Sequence, residues 1–157
     1  MSTPTPVTAL ARRWRLEIDM SAAKDGSNWQ FVPGITEFNP AAEPNIEDSS
    51  SYDSDGWAEN TKTGQSWELG VTVNRKINDQ VRVYHPTHEA FRLASFAFGS
   101  ASEVHVRYYD RNGLPEAYEG IALVTWAPSG GEYTALDQVE MTLTGTGPLT
   151  SITNPVA

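Results

Sequence analysis

Gln65-Ser66-Trp67-Glu68-Leu69-Gly70-Val71-Thr72-Val73-Asn74-Arg75 is the stretch whose reading decides the fold. Trp67, Leu69, Val71 and Val73 alternate with Ser66, Glu68, Thr72 and Asn74, and in an extended chain successive side chains point to opposite faces. One face is apolar and the other polar, as in a strand that covers a core on one side only. Immediately upstream, Glu43-Pro44-Asn45-Ile46-Glu47-Asp48-Ser49-Ser50-Ser51-Tyr52-Asp53-Ser54-Asp55-Gly56-Trp57 has no such period. Residues 43–64 are therefore expected to form one long loop, and connections of that length are usually functional or disordered. Ile46, Tyr52 and Trp57 give the loop apolar area that another surface would cover, either a neighbouring molecule or, in an Ω-loop, its own domain.

The same alternation recurs on both sides. Trp14, Leu16, Ile18 and Met20 alternate with Arg13, Arg15, Glu17 and Asp19; Lys24-Asp25-Gly26-Ser27-Asn28 supplies a turn; and Trp29-Gln30-Phe31-Val32 returns. Pro33-Gly34 ends that strand, and Ile35-Thr36-Glu37-Phe38 continues after a kink. Val81–Tyr84 reads as a weaker strand or an extended connection. A single helix is expected over 87–98, capped by Thr87, with Glu89 in its first turn, Gly99 at its end, and Phe91, Ala94 and Phe98 on one stripe. Glu103–Tyr109 alternates, Asn112-Gly113 signals a hairpin, and Ala117–Trp126 is apolar on both faces, as in a central strand covered on both sides. Val139, Met141 and Leu143 form a further buried face, after which Gly145-Thr146-Gly147-Pro148 is expected to break the strand. Residues 1–11 and 148–157 are read as terminal arms. The fold class is mostly β, an antiparallel β-sandwich or barrel with one flanking α-helix, in a single domain spanning 1–157.

Composition excludes more than it selects. The chain has 157 residues, 39% hydrophobic, enough for one core, and no cysteine, so disulfides, thiolate nucleophiles and cysteine-bound zinc are excluded. Its formal net charge of -9 opposes tight binding to a phosphate backbone. No apolar run is long enough to span a membrane, and no apolar segment after Met1 reads as an export signal.

The search for chemistry yields no positive signal for an enzyme. His85 and His88 flank the start of the expected helix without the glutamate of a zinc-protease helix, and both read as solvated; His105 reads as a surface residue. Asp53-Ser54-Asp55-Gly56 lacks the spacing and terminal glutamate of a calcium loop and reads as an acidic turn. Trp14, Trp67 and Trp126 fall on apolar strand faces and read as core rather than as a sugar-stacking platform. No catalytic residue, metal or cofactor is expected.

Taken in order, several pieces resemble the major tail tube proteins of long-tailed, non-contractile bacteriophages, particularly those of actinobacteria. These are Phe31-Val32-Pro33-Gly34-Ile35, the loop from Glu43 to Trp57, the strand Trp67–Val73 leading to one helix, Val106-Arg107-Tyr108-Tyr109-Asp110, Tyr118-Glu119-Gly120, and Leu143-Thr144-Gly145-Thr146-Gly147-Pro148-Leu149. The resemblance spans Trp14 to Pro155. It implies a structural virion protein, assembled in the host bacterial cytoplasm, that forms hexameric rings stacked into a tube. DNA would pass through that tube without being gripped. It further implies that the long loop, with Ile46, Glu47, Asp48, Tyr52, Asp53, Asp55 and Trp57, reaches a neighbouring subunit or ring. Glu68 and Glu140 become candidate lumen-facing acids. Implied partners are further copies of the chain, the tape measure protein, and tail tip or baseplate and tail terminator proteins. The inner tube of a contractile tail or of a secretion system, a carbohydrate-binding or adhesion module, and a small β-barrel enzyme are the competing readings.

Overall fold

The computed structural model describes residues 3–157. Its strands are β1 (Trp14–Asp19), β2 (Trp29–Phe31), β3 (Ile35–Asp48), β4 (Asn60–Asn74), β5 (Ile77–Asn78), β6 (Val83–Tyr84), β7 (Glu103–Asp110), β8 (Ala117–Ser129) and β9 (Gln138–Ser151), with one α-helix, α1 (Pro86–Phe96). Seven strands form one sheet in the order β2-β1-β7-β8-β9-β4-β3, and β5 and β6 form a separate small hairpin. Every pairing is antiparallel.

The sheet curls onto itself. β2 and β3 stand at opposite ends of the strand order, yet only residues 32–34 join them. So short a link brings the two ends together, and the rings agree: Phe38 of β3 lies 6.1 Å from Trp14 of β1 and 5.3 Å from Tyr108 of β7. The inward faces close on Leu16, Ile18, Leu69, Val71, Val73, Val106, Met141 and Leu143, all buried. The alternation in the sequence predicted each of these. Gly34 turns with φ +81° in the link, and a Cβ there would strike the carbonyl of Asn74.

Helix α1 closes one end of the curled sheet with Phe91 and Ala94. It differs from expectation in its bounds and at both ends. His85, not Thr87, is the N-cap, and its ring accepts from the Thr87 amide while Pro86 takes the first helical position. The helix stops at Phe96, so Phe98 lies beyond it and is exposed. His88 is not solvated but fully buried: Nε2 donates to the Pro33 carbonyl at 2.9 Å, and Nδ1 accepts from the Lys76 amide at 3.2 Å. It therefore ties the helix to the β2–β3 link. Burial holds this imidazole below the ordinary histidine value, although the hydrogen bond to Pro33 opposes the shift.

Two further expectations are corrected. β8 is central, as read, but only its Ala122 side is covered; Leu123 on the other side is 43% exposed. Residues 145–148 do not break β9, which runs on to Ser151. Gly147 takes φ +86° there, and the β8–β9 register shifts between Glu119 and Ile121. This irregularity seats Trp67, whose indole N–H donates to the Gly147 carbonyl at 3.1 Å. A Cβ on Gly145 would fall inside the indole, and one on Gly120 would press against it.

Trp67→Ala should cost about 3 to 5 kcal/mol, as for other large buried aromatics. Gly145→Ala should also lower the melting temperature, because its Cβ would overlap the indole and displace Trp67 from its bond to the Gly147 carbonyl. A melt of Gly145→Ala that matches wild type would show that the indole is not seated on the glycines. His88 gives a second expectation. Unfolded His88 takes a proton below about pH 6.5, while the folded residue resists it, so the stability it contributes is complete above that pH and falls as pH drops through it. Wild type should lose melting temperature between pH 7 and 5, and His88→Gln should lose less; equal losses would remove His88 as the cause.

Candidate assembly surfaces

The expected loop over 43–64 is strand at both ends, over 43–48 and 60–64, with only residues 49–59 left as a connection. β3 and β4 pair in register from Phe38↔Val71 to Asp48↔Asn60, with one irregularity at Asn45/Ile46. Pro44 is compatible with this because β3 is an edge strand, where a missing amide costs no ladder bond on the open side. β4 leaves β9 at Glu68, so beyond that point the two strands form a free hairpin arm. From Ala41, opposite Glu68, to Asp48 the arm extends roughly 23 Å at about 3.3 Å per residue. Its polarity on both faces hid the strand period from the sequence, since a two-stranded ribbon in solvent has no face to bury.

The arm's tip is organised by its own hydrogen bonds. Ser51 and Ser54 cap each other across a short 3-10 turn (Tyr52–Ser54). The Trp57 amide donates to the Ser54 carbonyl at 3.0 Å, and the Ser49 amide donates to the Glu59 carbonyl at 2.9 Å. Asp48 accepts from the Ser50 amide at 2.8 Å, and hydrogen bonds from the Ser50 side chain and backbone amide hold the Asp48 carboxyl below its ordinary value. Asp55 sits in the left-handed region with φ 52°, followed by Gly56 at φ 82°. Ser54 is the only buried tip residue. Trp57 is 81% exposed, and Tyr52, Ile46, Glu47, Asp48, Asp53 and Asp55 are exposed as well. The structure thus brings all seven sequence-predicted loop residues onto the arm: Ile46, Glu47 and Asp48 at the end of its first strand, the others at the tip.

Glu68 and Glu140 share the outward face of the sheet and are exposed, in the rows Glu68↔Thr144 and Thr72↔Glu140. Glu37, opposite Thr72, stands on the same face and was missed, because the irregularity at Thr36 hides its register. Around these acids lie Thr72, Thr142, Thr144 and Thr125, with no Lys or Arg on this half of the face. The other half of the outward face is a network of opposite charges. Arg107 donates to Glu17 at 2.7 and 3.0 Å and lies over Trp29 at 4.5 Å. His105 is packed on Trp29 and 3.2 Å from Asp19, so it is half-buried rather than a surface residue. Burial alone would raise Asp19, but hydrogen bonds from Ser21, Gly26 and His105 hold its carboxyl well below the usual range.

The C-terminal segment is docked, contrary to the arm expected over 148–157. Residues 148–151 continue β9, and the buried Asn154 side chain donates to the carbonyls of Asp110 at 2.8 Å and Leu114 at 2.6 Å. Asp110 is in turn paired with Arg13 at 2.8 Å, which holds its carboxyl below the ordinary value. Of the N-terminal arm read over 1–11, residues 1–2 lie outside the described residues. Residues 3–10 are exposed and irregular, and a short 3-10 turn begins at Ala11. Sequence also gave no warning of the exposed Phe96, Tyr133 and Leu136. Among the described residues, no group of three or more His, Asp or Glu side chains is placed to hold a metal ion.

No protein-family model matches the chain, and no curated protein matches it in sequence. Solved structures do. The tail of an empty gene transfer agent particle, computed with helical refinement and C6 symmetry, superposes with a TM-score of 0.73 at 15% identity, covering 92% of this chain and 99% of that one. The fold is that of a tail tube subunit. The virion of a native gene transfer agent particle gives a TM-score of 0.69 at 14% identity over 91% of this chain and 98% of that one. The SPP1 tail tube gives 0.68 at 12% identity over 94% and 81%. The likeness thus extends over nearly the whole of this chain.

The folded body is expected to stand without the tip. Replacing residues 50–58 with a short Gly-Ser turn should leave the far-ultraviolet dichroism β-rich and the melting temperature within a few degrees of wild type, since loop length changes closure entropy by less than about 1 kcal/mol. Loss of the folded state would instead make the tip part of the core.

Proposed function

We propose that this chain is the structural subunit of a phage-type tail tube, six copies to a ring, with rings stacked into a channel for DNA. The observation that carries this reading is the superposition, over nearly the whole of both chains, on a tail with C6 symmetry. The arm adds physical support. Its ordered tip presents Tyr52 and Trp57 to solvent, and leaving such area wet costs about 25 cal/mol per Å², which burial against a neighbour recovers. A contact between unlike surfaces closes into a ring when the rotation closes and grows a filament when it does not.

The same reading assigns the face of Glu37, Glu68 and Glu140 to the lumen. Negative charge there repels phosphates within the roughly 8 Å over which charges act at physiological salt, so DNA slides without being held. The role is structural, in the virion tail after assembly in the host bacterial cytoplasm. The ends of the tube would meet tail tip and terminator proteins, and a tape measure protein would occupy the lumen before DNA does. An exposed sugar-stacking platform finds no support from Trp14 and Trp67, which pack inward with Tyr108 and the glycines of β8 and β9.

Concentrated protein viewed by electron microscopy should show six-fold rings or tubes with a central channel, and these should not retain duplex DNA at physiological salt. Protein that stays monomeric at every concentration, or tubes that hold DNA in a salt-sensitive manner, would overturn the subunit or the lumen assignment respectively.

A further inference from the structure

Grooves on the described surface differ in charge. One of about 820 Å³ beside the base of the arm has Glu116 as its only charged wall. A smaller one under α1 is lined by Asp19 and Glu103 against Lys24, whose ammonium is already bonded to the Ser100 carbonyl. Another, of about 460 Å³, follows the seam where the two ends of the curled sheet meet, and it is basic. Arg12, Arg15 and Arg111 line it beside Trp14 and Phe31, with Glu37 as the one acid. In a chain of net charge -9 this concentration of arginine needs a reason.

None of these arginines has a carboxylate partner among the described residues, although the Arg111 guanidinium donates to the Arg12 carbonyl. Arg13, their neighbour, is committed to Asp110 and Glu116, but no carboxylate among the described residues pairs with Arg12, Arg15 or Arg111. Arg15 lies over Phe31 at 4.4 Å, and its Nε is buried with no hydrogen-bond partner. A carboxylate brought to guanidinium groups that lack an anion forms charge-assisted hydrogen bonds with their terminal nitrogens. The walls also carry open strand edges: β2 pairs β1 only as far as Glu17↔Phe31, which leaves the edge of Trp14 and Arg15 open, and β3 has no partner on its outer side.

The arm has the complementary chemistry. Between Glu43 and Thr61 it carries Glu43, Glu47, Asp48, Asp53, Asp55 and Glu59 and no Lys or Arg, with Tyr52 and Trp57 among them. The arm cannot reach its own seam, because Asn39 at its base lines that groove and the paired strands hold the tip roughly 30 Å away. We infer that the acidic, aromatic tip of one copy docks in the basic seam of a second copy, with carboxylates on Arg12, Arg15 and Arg111 and the tip aromatics beside Trp14 and Phe31. This rests on the tube-subunit reading and names the receiving surface for the arm.

Charge reversal tests it. Arg12 and Arg111 are exposed, so the double variant Arg12→Glu, Arg111→Glu should fold as wild type by dichroism, yet raise the concentration needed for assembly by about tenfold or more. Asp53→Lys, Asp55→Lys should do the same from the other side. The four substitutions in one chain should restore assembly, because each reversed tip then meets a reversed seam. The absence of cysteine allows a direct check: Arg12→Cys with Asp55→Cys should give disulfide-linked ladders of several copies on oxidation. If wild type forms rings or tubes but the reversals assemble normally, or the four-fold variant is not rescued, or only a different pair such as the N-terminal segment with the seam cross-links, the docking is wrong and the tube reading stands. If wild type forms no assembly at all, both fall.

Discussion

Three residues constrain this molecule more than any others. Val32, Pro33 and Gly34 connect strands that occupy opposite ends of a seven-stranded order, so the sheet has no choice but to curl. Twist favours curling, but the short link sets where the ends meet. The surrounding contacts hold that link in place. The Val32 amide donates to the Leu16 carbonyl, the Asn74 amide donates to the Gly34 carbonyl, and His88 reaches the Pro33 carbonyl from the helix. The helix therefore completes the closure as well as covering a face. A buried, neutral histidine is suited to this, since it offers one donor and one acceptor at once and here uses both.

Curling separates the outward surface into regions of different character. The half formed by β1, β7 and the start of β8 ties its polar groups to one another, Glu17 to Arg107 and both Asp19 and Glu119 to His105. The half formed by β3, β4 and β9 carries acids among threonines. The seam between the sheet ends collects arginines without carboxylate partners. A monomer gains nothing from such partition, whereas a subunit that meets copies of itself on several sides needs surfaces that are distinct and not self-complementary. The arm follows the same logic. Its tip is ordered before any contact by the Ser51–Ser54 capping pair and the Ser50–Glu59 bonds, so docking does not have to supply that ordering entropy.

The strand faces were legible in the sequence because burial on one side imposes a period of two. Trp67, Leu69, Val71 and Val73 need no tertiary information to be recognised, nor do Leu16 and Ile18 or Met141 and Leu143. Helix α1 was legible from Phe91 and Ala94, although its cap was not. Thr87 and His85 are both competent acceptors, and Pro86, with its fixed φ and missing amide, settled the first helical position in favour of His85.

What the sequence could not show lies wherever pairing occurs without burial or burial without pattern. The arm is strand because β3 and β4 hydrogen-bond along its length, yet both of its faces meet water and no apolar period marks it. His88 is buried because the β2–β3 link happens to pass above it, a coincidence of two segments more than fifty residues apart in the chain. Arg12, Arg15 and Arg111 come together because antiparallel pairing of β1 with β7 sets the turn after β7 beside the start of β1, and closure then brings β3 across from them to make the seam. By itself the sequence determined a mostly antiparallel β protein with one helix and an exposed, acidic, aromatic segment, since local periodicity and composition carry that information. Tertiary structure alone decided that the segment is a projecting arm and that a basic groove stands ready at the seam. Register and closure are set by contacts between residues distant in the chain, and no local pattern encodes them.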